Sequence, residues 1–324
     1  MKLSQKGEAG LLTHIEKYFR FPGDKNLLLG PGDDCAVLKT ARGKALVVTT
    51  DELVENTHFL RRFATPEDLA RKLLRVNLSD LAAMGPVRPV SCVAGAGLPG
   101  DLPADFALRF VKALKKEALA FGLSIAGGNL AGARELHFYM TAWGEADRRK
   151  IVTRRGARPG DWVFNLGPLG EARAGLEILR SGGPAEKKRF KRLLRSFWTP
   201  RPFLKEGAMI GERGLASAML DNSDGLFSSA RILSELSRCA VRLKLETSAV
   251  SPVLAAYAGS KNRPWQKYAV SGGEDYGLVF TVRPARAGLV KRLLAKARIV
   301  GRVEKGSGVS VEGYEGKVEN FSHF

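Results

Sequence analysis

Ala45-Leu46-Val47-Val48-Thr49-Thr50, the segment Pro66–Met84 and Val90-Ser91-Cys92-Val93-Ala94-Gly95-Ala96 succeed one another as a short apolar run, a helical pattern and a second short apolar run. In the middle segment Leu69, Leu73, Leu74, Leu78 and Leu81 recur at spacings that place them on one helix face, and Thr65 stands before it as an N-cap. The flanking runs are short and closed by polar or glycine signals, as buried strands are. Strand, helix, strand in this order predicts an α/β chain.

The alternation continues in both directions. A second helix is predicted from Pro103 to about Phe121, with Phe106, Phe110, Ala113, Leu114 and Ala118 on one face and Lys112, Lys115 and Lys116 largely on the other. Strands are expected at Ser124–Ala126 and His137–Trp143. The stretch Asp147–Gly160 (DRRKIVTRRGARPG) is basic, carries glycine and proline and has little apolar period, so a boundary is placed there, giving domains 1–147 and 148–324. Beyond it the sequence predicts strand Trp162–Leu166, helix Glu171–Ser181 and a basic helix around Lys187–Phe197. An approach at Ala216–Ala218 then leads to Asp221, followed by helix Ser228–Arg238 and strand Val241–Leu245. Strand Gly277–Val282, helix Arg286–Ala297 and strand Ile299–Val303 close the chain.

Composition narrows the class. The chain has 324 residues, 44% hydrophobic and 26% charged, which excludes a disordered or collagen-like polymer. Fifty-two Lys and Arg against 33 Asp and Glu give a formal charge of +19. Such an excess suits acidic partners, among them nucleic acid, anionic membrane and phosphorylated small molecules. The basic stretches Arg148–Arg158 and Lys187–Arg195 come without zinc-finger spacing or an RNP-like aromatic motif, so no specific nucleic-acid partner is expected. No apolar run approaches the roughly 20 residues that cross a bilayer, and no membrane association is expected. Cys35, Cys92 and Cys239 lie far apart without CxxC spacing, which argues against a disulfide framework or a cysteine zinc site and for a cytoplasmic protein.

Two generic nucleotide motifs are set aside. Gly95-Ala96-Gly97-Leu98-Pro99-Gly100 fits GxGxxG, but about 20 residues on, where a dinucleotide fold has an acidic residue ending its second strand, the chain still reads as helix. It is read as a glycine-rich strand exit. No GxxxxGK[ST] phosphate loop occurs.

The acidic residues carry more information because they are few. They recur near strand ends or in glycine turns: Asp33-Asp34, Thr49-Thr50-Asp51, Ser79-Asp80, Asp221-Asn222-Ser223-Asp224-Gly225 and Gly272-Gly273-Glu274-Asp275. Any one of them could simply form a turn or cap a helix. Gathered together, carboxylates suit hard divalent cations, and magnesium takes one or two of them together with phosphate oxygens and waters. A multi-magnesium phosphate site is the joint reading.

These segments, with His58-Phe59, Val76-Asn77-Leu78-Ser79-Asp80-Leu81-Ala82-Ala83-Met84-Gly85, Ser223-Asp224-Gly225-Leu226 and Ser271-Gly272-Gly273-Glu274-Asp275-Tyr276, resemble the signature of the thiamine-monophosphate kinases. They occur in the family's order over nearly the whole chain. The resemblance implies two α/β domains with mixed sheets flanked by helices, like aminoimidazole-ribonucleotide synthetase. It implies an N-terminal domain that binds ATP and magnesium and forms a homodimer, and a C-terminal domain that completes the substrate site. The implied reaction is transfer of the ATP γ-phosphoryl group to thiamine monophosphate, with several Mg²⁺ ions. By motif position, Asp34, Thr49, Thr50, Asp51, Asp80, Asp221 and Asp224 fall on magnesium positions, and Asp51, Asp80, Asp221 and Asp224 are expected to carry catalysis. Gly128, Asn129, Arg154 and Ser223 fall on ATP positions, and His58, Glu274 and Phe321 on positions lining the thiamine-phosphate pocket.

Three segments depart from the family pattern. Gly127-Gly128-Asn129-Leu130-Ala131 stands where GGDTT is the commonest form, so Asn129 offers a magnesium position a neutral oxygen in place of a carboxylate. Asn56-Thr57 replaces a small glycine-containing pair before His58. Thr199-Pro200-Arg201-Pro202-Phe203 only loosely matches an RPxPR element. An alternative reading is therefore a member of the same superfamily that binds nucleotide or thiamine phosphates without catalysis, or with altered specificity.

Overall fold

A computed structural model describes residues 25–40, 43–314 and 316. The described residues form two compact units, one of 25–77 and 87–149, the other of 78–86 and 150–316.

The first unit is built on six strands, β1 Leu27–Leu29, β2 Ala36–Lys39, β3 Lys44–Val54, β4 Arg88–Leu98, β5 Ser124–Gly132 and β6 His137–Asp147, in the order β1-β2-β3-β6-β4-β5. All neighbours are antiparallel except β4 and β5, which are parallel and joined through helix α2, Ala104–Ala120. The sheet is therefore mixed. Its longest pairing runs unbroken from Lys44 opposite Asp147 to Val54 opposite His137. Along β3, Ala45, Val47 and Leu53 are buried, and the period of two puts Thr49 and Asp51 on that same face.

Helix α1, Pro66–Ala83, follows the leucine pattern: Leu69, Leu73, Leu74, Leu78 and Leu81 are all fully buried. Its start is a capping box. The Thr65 hydroxyl accepts the Asp68 N–H at 3.1 Å, while the Asp68 carboxylate accepts the Thr65 N–H at 3.3 Å. Helix α2 buries Phe110, Leu114 and Ala118, and Phe110 stacks on Phe138 of β6 with centroids 3.9 Å apart. Leu108, Val111 and Leu119 of α2 stay exposed, as does every residue of β5.

The second unit has strands β7 Trp162–Leu166, β8 Ala218–Asp221, β9 Ala240–Lys244, β10 Leu278–Val282, β11 Arg298–Glu304 and β12 Gly308–Glu312, ordered β12-β9-β11-β7-β10-β8. It too is mixed, with only β12 and β9 parallel. Its helices are α3 Glu171–Ser181, α4 Pro184–Arg189, α5 Lys191–Trp198, α6 Leu204–Glu212, α7 Leu226–Ser237, α8 Pro252–Ser260, α9 Trp265–Ser271 and α10 Pro284–Leu293. One sheet face, with Val163, Leu220, Val241 and Val279, packs on Ile178, Leu233 and Tyr257 of α3, α7 and α8. The other, with Phe164, Met219 and Phe280, packs on Ile210 of α6, Val290 of α10 and Ala82 and Ala83 at the end of α1. β10 is buried along its whole length.

The structure revises several sequence expectations. The basic helix expected over Lys187–Phe197 is two helices that meet at Phe190 (φ −108°, ψ 31°). The strand expected at Ser124–Ala126 runs on to Gly132, because Gly127 to Gly132 pair with β4 as far as Leu98. The strands β1, β2 and β12 and helices α6, α8 and α9 lie outside the predicted elements; all are short, and short elements carry too few residues for a period to show. Gly95 and Gly97 lie inside β4, where added Cβ atoms would come within 2.2 Å of Tyr139 and 2.0 Å of His137. These glycines make room for side chains of β6, which agrees with setting the GxGxxG match aside.

Candidate active site

In the first unit, Asp34 is buried just before β2, its N–H donating to the Asp33 carboxylate at 3.0 Å. Thr49, Thr50 and Asp51 lie within β3 and not at its end. Thr49 is buried and Asp51 half-buried on one face, whereas the Thr50 hydroxyl on the opposite face donates to the Met140 carbonyl at 3.0 Å and accepts from Thr141 at 3.2 Å. Strand alternation thus divides the two threonines.

His58 follows β3 in a tight turn. Its Nδ1 accepts the Val54 N–H at 3.0 Å, which leaves the ring proton on Nε2 in the neutral imidazole. Asn56 occupies the left-handed region at φ 66°. Asn tolerates this conformation better than other non-glycine residues, so the departure from a glycine-containing pair preserves the turn. Glu55 ties the same turn down through a bidentate pair with Arg61 at 3.0 and 2.6 Å.

Gly128 and Asn129 lie on the edge strand β5. A Cβ at Gly128 would sit 1.7 Å from the Ala94 carbonyl oxygen, so close approach to β4 requires glycine there.

The second unit draws three motifs together. Asp80 lies in the last turns of α1, not at a strand end, and Asp221 ends β8. Their carboxylate oxygens come within 4.8 Å of each other. Both oxygens of the buried Asp221 accept serine hydroxyls at 3.0 Å, Oδ2 from Ser79 and Oδ1 from Ser223. Asn222 and Ser223 continue into the turn before α7, and Asp224 is exposed. Two carboxylates this close repel when both are charged, and a hard cation relieves that repulsion while accepting their oxygens.

The loop Ser271–Tyr276 lies directly on this turn. Glu274 N–H donates to the Ser223 carbonyl at 2.5 Å and Tyr276 N–H to the Asn222 carbonyl at 3.0 Å. Gly225 (φ 95°) and Gly272 meet backbone to backbone: a Cβ on Gly225 would lie 2.7 Å from the Gly272 oxygen. Glycine at these positions lets the two acidic turns touch. Asp275 is buried, and burial pushes its carboxyl up to about 7 against the pull of hydrogen bonds from the Ala172 and Gly170 N–H groups. The charges of Glu171 and Glu274 push in the same direction as burial. Arg154 is half-buried, next to Thr153, whose carbonyl accepts the Met219 N–H of β8 at 2.9 Å. Phe321 lies outside the described residues.

Residues 32–146 match the model of the AIR synthase related protein family, N-terminal domain. Over 319 residues the chain is 35% identical to the thiamine-monophosphate kinase of Mycobacterium tuberculosis, covering 97% of this chain and 90% of that one. It is 32% identical over 328 residues to the thiamine-monophosphate kinase of Aquifex aeolicus, covering all of both. The chain belongs to the thiamine-monophosphate kinase family. A solved structure of AaThiL complexed with AMPPCP and TMP superposes with a TM-score of 0.89 at 32% identity, over 100% of this chain and 99% of that one.

Membership of the kinase family accords with the two mixed-sheet α/β units and with the order of the acidic motifs. Two further residues stand out in the structure to which the sequence reading gave no role. Ser79 and Asp275 both sit inside the family motifs, yet the contacts they make are to residues remote in sequence: Asp221 for Ser79, Gly170 and Ala172 for Asp275. Position within a motif was the only signal for either.

Proposed function

We propose that this protein is an ATP-dependent kinase that phosphorylates thiamine monophosphate to thiamine diphosphate. The observation that carries the reading is the Asp80–Asp221 carboxylate pair, with Asp221 oriented by Ser79 and Ser223, in a chain similar along its full length to thiamine-monophosphate kinases. AMPPCP is a non-transferable ATP analogue, and TMP is read here as thiamine monophosphate, so the related AaThiL complex suits the same pair of ligands.

The acceptor is a phosphate monoester whose second pKa lies near 6, so at pH 7 it is mostly ionised and needs no general base. One of its oxygens attacks the γ-phosphorus, the bond to the β-phosphate oxygen breaks, and ADP leaves. The chief obstacle is bringing one polyanion onto another. Asp34, Thr49, Asp51 and Asn129 of the first unit and Asp80, Asp221 and Asp224 of the second are the residues we assign to magnesium; Thr50, expected there from the sequence, has its hydroxyl on the opposite face of β3, engaged with Met140 and Thr141. Magnesium, when bound, supplies positive charge that offsets the phosphates of both reactants. Gly128, Asn129, Arg154 and Ser223 are assigned to ATP, Arg154 as a fixed cation. His58 and Glu274 are assigned to thiamine monophosphate, as Phe321 is on sequence grounds. Transfer is in line and direct; recovery of a phosphorylated enzyme after incubation with ATP alone would count against this.

The chain is further proposed to act as a homodimer through its first unit. The edge strand β5 is exposed throughout, with Ile125 and Leu130 bare, and an open apolar edge is a template for pairing with another chain. Among the described residues no helix is long and apolar enough to cross a membrane, and the three cysteines are buried, in keeping with a cytoplasmic enzyme. The test is incubation with ATP, Mg²⁺ and thiamine monophosphate. Thiamine diphosphate is the expected product; folded protein that binds both ligands without forming it would favour the non-catalytic alternative, which Asn129 and the altered arginine element Thr199-Pro200-Arg201-Pro202-Phe203 support.

A further inference from the structure

Asp275 has both carboxylate oxygens on backbone N–H groups at the start of α3, Oδ2 on Gly170 at 2.5 Å and Oδ1 on Ala172 at 3.1 Å, and the residue is 1% exposed. Its two neighbours in sequence, Glu274 and Tyr276, both hold left-handed backbone at φ 63° and 50°. Non-glycine residues keep that conformation only where the surroundings over-determine it. Here the Ser223 and Asn222 carbonyls hold the loop from one side and Asp275 holds it from the other.

The platform under Asp275 is itself rigid. Gly170 has φ 74°, and a Cβ there would lie 2.4 Å from the Tyr268 carbonyl carbon. Glu171, also buried, anchors the first turn of α3 to α5 through Arg192 at 3.0 Å and Ser196 at 2.6 Å. A carboxylate suits the position because two donors face it; an amide would offer one acceptor and turn its NH₂ toward the other N–H.

We propose that Asp275 is a positioning residue for thiamine-monophosphate binding, fixing the Glu274 backbone against α3 so that the Glu274 carboxylate is presented in one orientation. The proposal rests on the assignment of Glu274 to the thiamine-phosphate pocket made above. Asp275 touches no substrate itself. It acts through the peptide that carries its neighbour, so its loss falls on one ligand and spares the other.

The experiment compares the wild type with Asp275→Asn and Asp275→Ser, which each keep one acceptor in a smaller or neutral side chain. Dissociation constants for thiamine monophosphate and for AMPPCP are measured separately by calorimetry, turnover is followed alongside, and circular dichroism checks the fold. The expected result is a loss of about tenfold or more in affinity for thiamine monophosphate, with AMPPCP affinity within about twofold of wild type. Unchanged thiamine-monophosphate affinity in a folded variant overturns the proposal. So does an equal loss for both ligands, or failure of both variants to fold, either of which makes Asp275 a core residue only. A wild type that binds both ligands without turnover sinks the kinase reading but leaves this comparison decisive. A wild type that binds no thiamine monophosphate overturns both.

Discussion

Ser79 on α1 donates its hydroxyl to Asp221 at the end of β8 across 3.0 Å, joining residues 142 apart in sequence. The same hydroxyl lies 3.4 Å from the Tyr276 carbonyl, so one buried side chain touches all three acidic segments of the second unit. Ser79→Ala removes a donor from a buried carboxylate oxygen. The expected cost is about 1–3 kcal/mol in stability, with a rate loss beyond what the lower melting temperature explains. Urea denaturation paired with steady-state kinetics measures both; a variant with wild-type rate would show that Ser79 does not orient Asp221 for catalysis.

Asp80→Asn removes one charge from the carboxylate pair and keeps the side chain's size. Turnover should fall by about a hundredfold or more while the fold survives, and the Mg²⁺ concentration for half-maximal rate should rise. A magnesium titration of the variant checks this. A near-normal rate at low magnesium would remove Asp80 from the metal assignment.

Adjacent glycines on β5 should respond in opposite ways. Gly128→Ala puts a Cβ 1.7 Å from the Ala94 oxygen and should destabilise by about 2–3 kcal/mol. Gly127→Ala meets nothing within 4 Å and should stay within about 0.5 kcal/mol of wild type. Equal urea midpoints for the two variants would contradict the close β4–β5 approach.

Asp275 should leave a mark on stability as a function of pH. Its carboxyl is raised to about 7, mainly by burial, with the Glu171 and Glu274 charges adding and the Ala172 and Gly170 N–H groups opposing. A folded-state value above the unfolded one means that the folded chain holds the proton more tightly. This contribution is present in full below the unfolded value near 4 and is lost as pH rises through about 7. The wild type should therefore lose stability between pH 5.5 and 8 by about 1–2 kcal/mol more than Asp275→Asn does. Parallel melting curves across that range would refute the shift.

Leu130→Lys places a charge on the exposed β5 edge, where Leu130 is 72% exposed in the single chain. If two copies pair along β5, light scattering should find a dimer for the wild type and a monomer for the variant. A variant that remains dimeric would move the interface elsewhere, with the exposed Leu108, Val111 and Leu119 of α2 the next surface to test.

Local pattern carried a large part of the structure. The leucines of α1, the Thr65 cap, β7 and α3 could be read directly, because helix and strand periods are imposed by neighbours a few residues away. The acidic segments were also visible in order, and with them the family. Where Asp51 sits was less clear: the sequence suggested a strand end, whereas Asp51 is inside β3, since pairing with β6 prolongs β3 beyond its apolar run; Asp80 falls within the helix expected over Pro66–Met84. The break at Phe190 was hidden too, because both helices share one basic, amphipathic composition.

By itself, the sequence determined the α/β alternation, the family signature and which carboxylates could serve a phosphate site. Tertiary structure alone decided that Asp80 and Asp221 approach within 4.8 Å, that Ser79 orients one of them and that Asp275 holds the Glu274 loop against α3. It also assigned residues 78–86 to the second unit, across a boundary that the sequence placed near 147. The physical reason is the same in each case. Hydrogen bonds and backbone-to-backbone contacts between segments a hundred or more residues apart depend on how strands are ordered in a sheet, and no local period encodes that order.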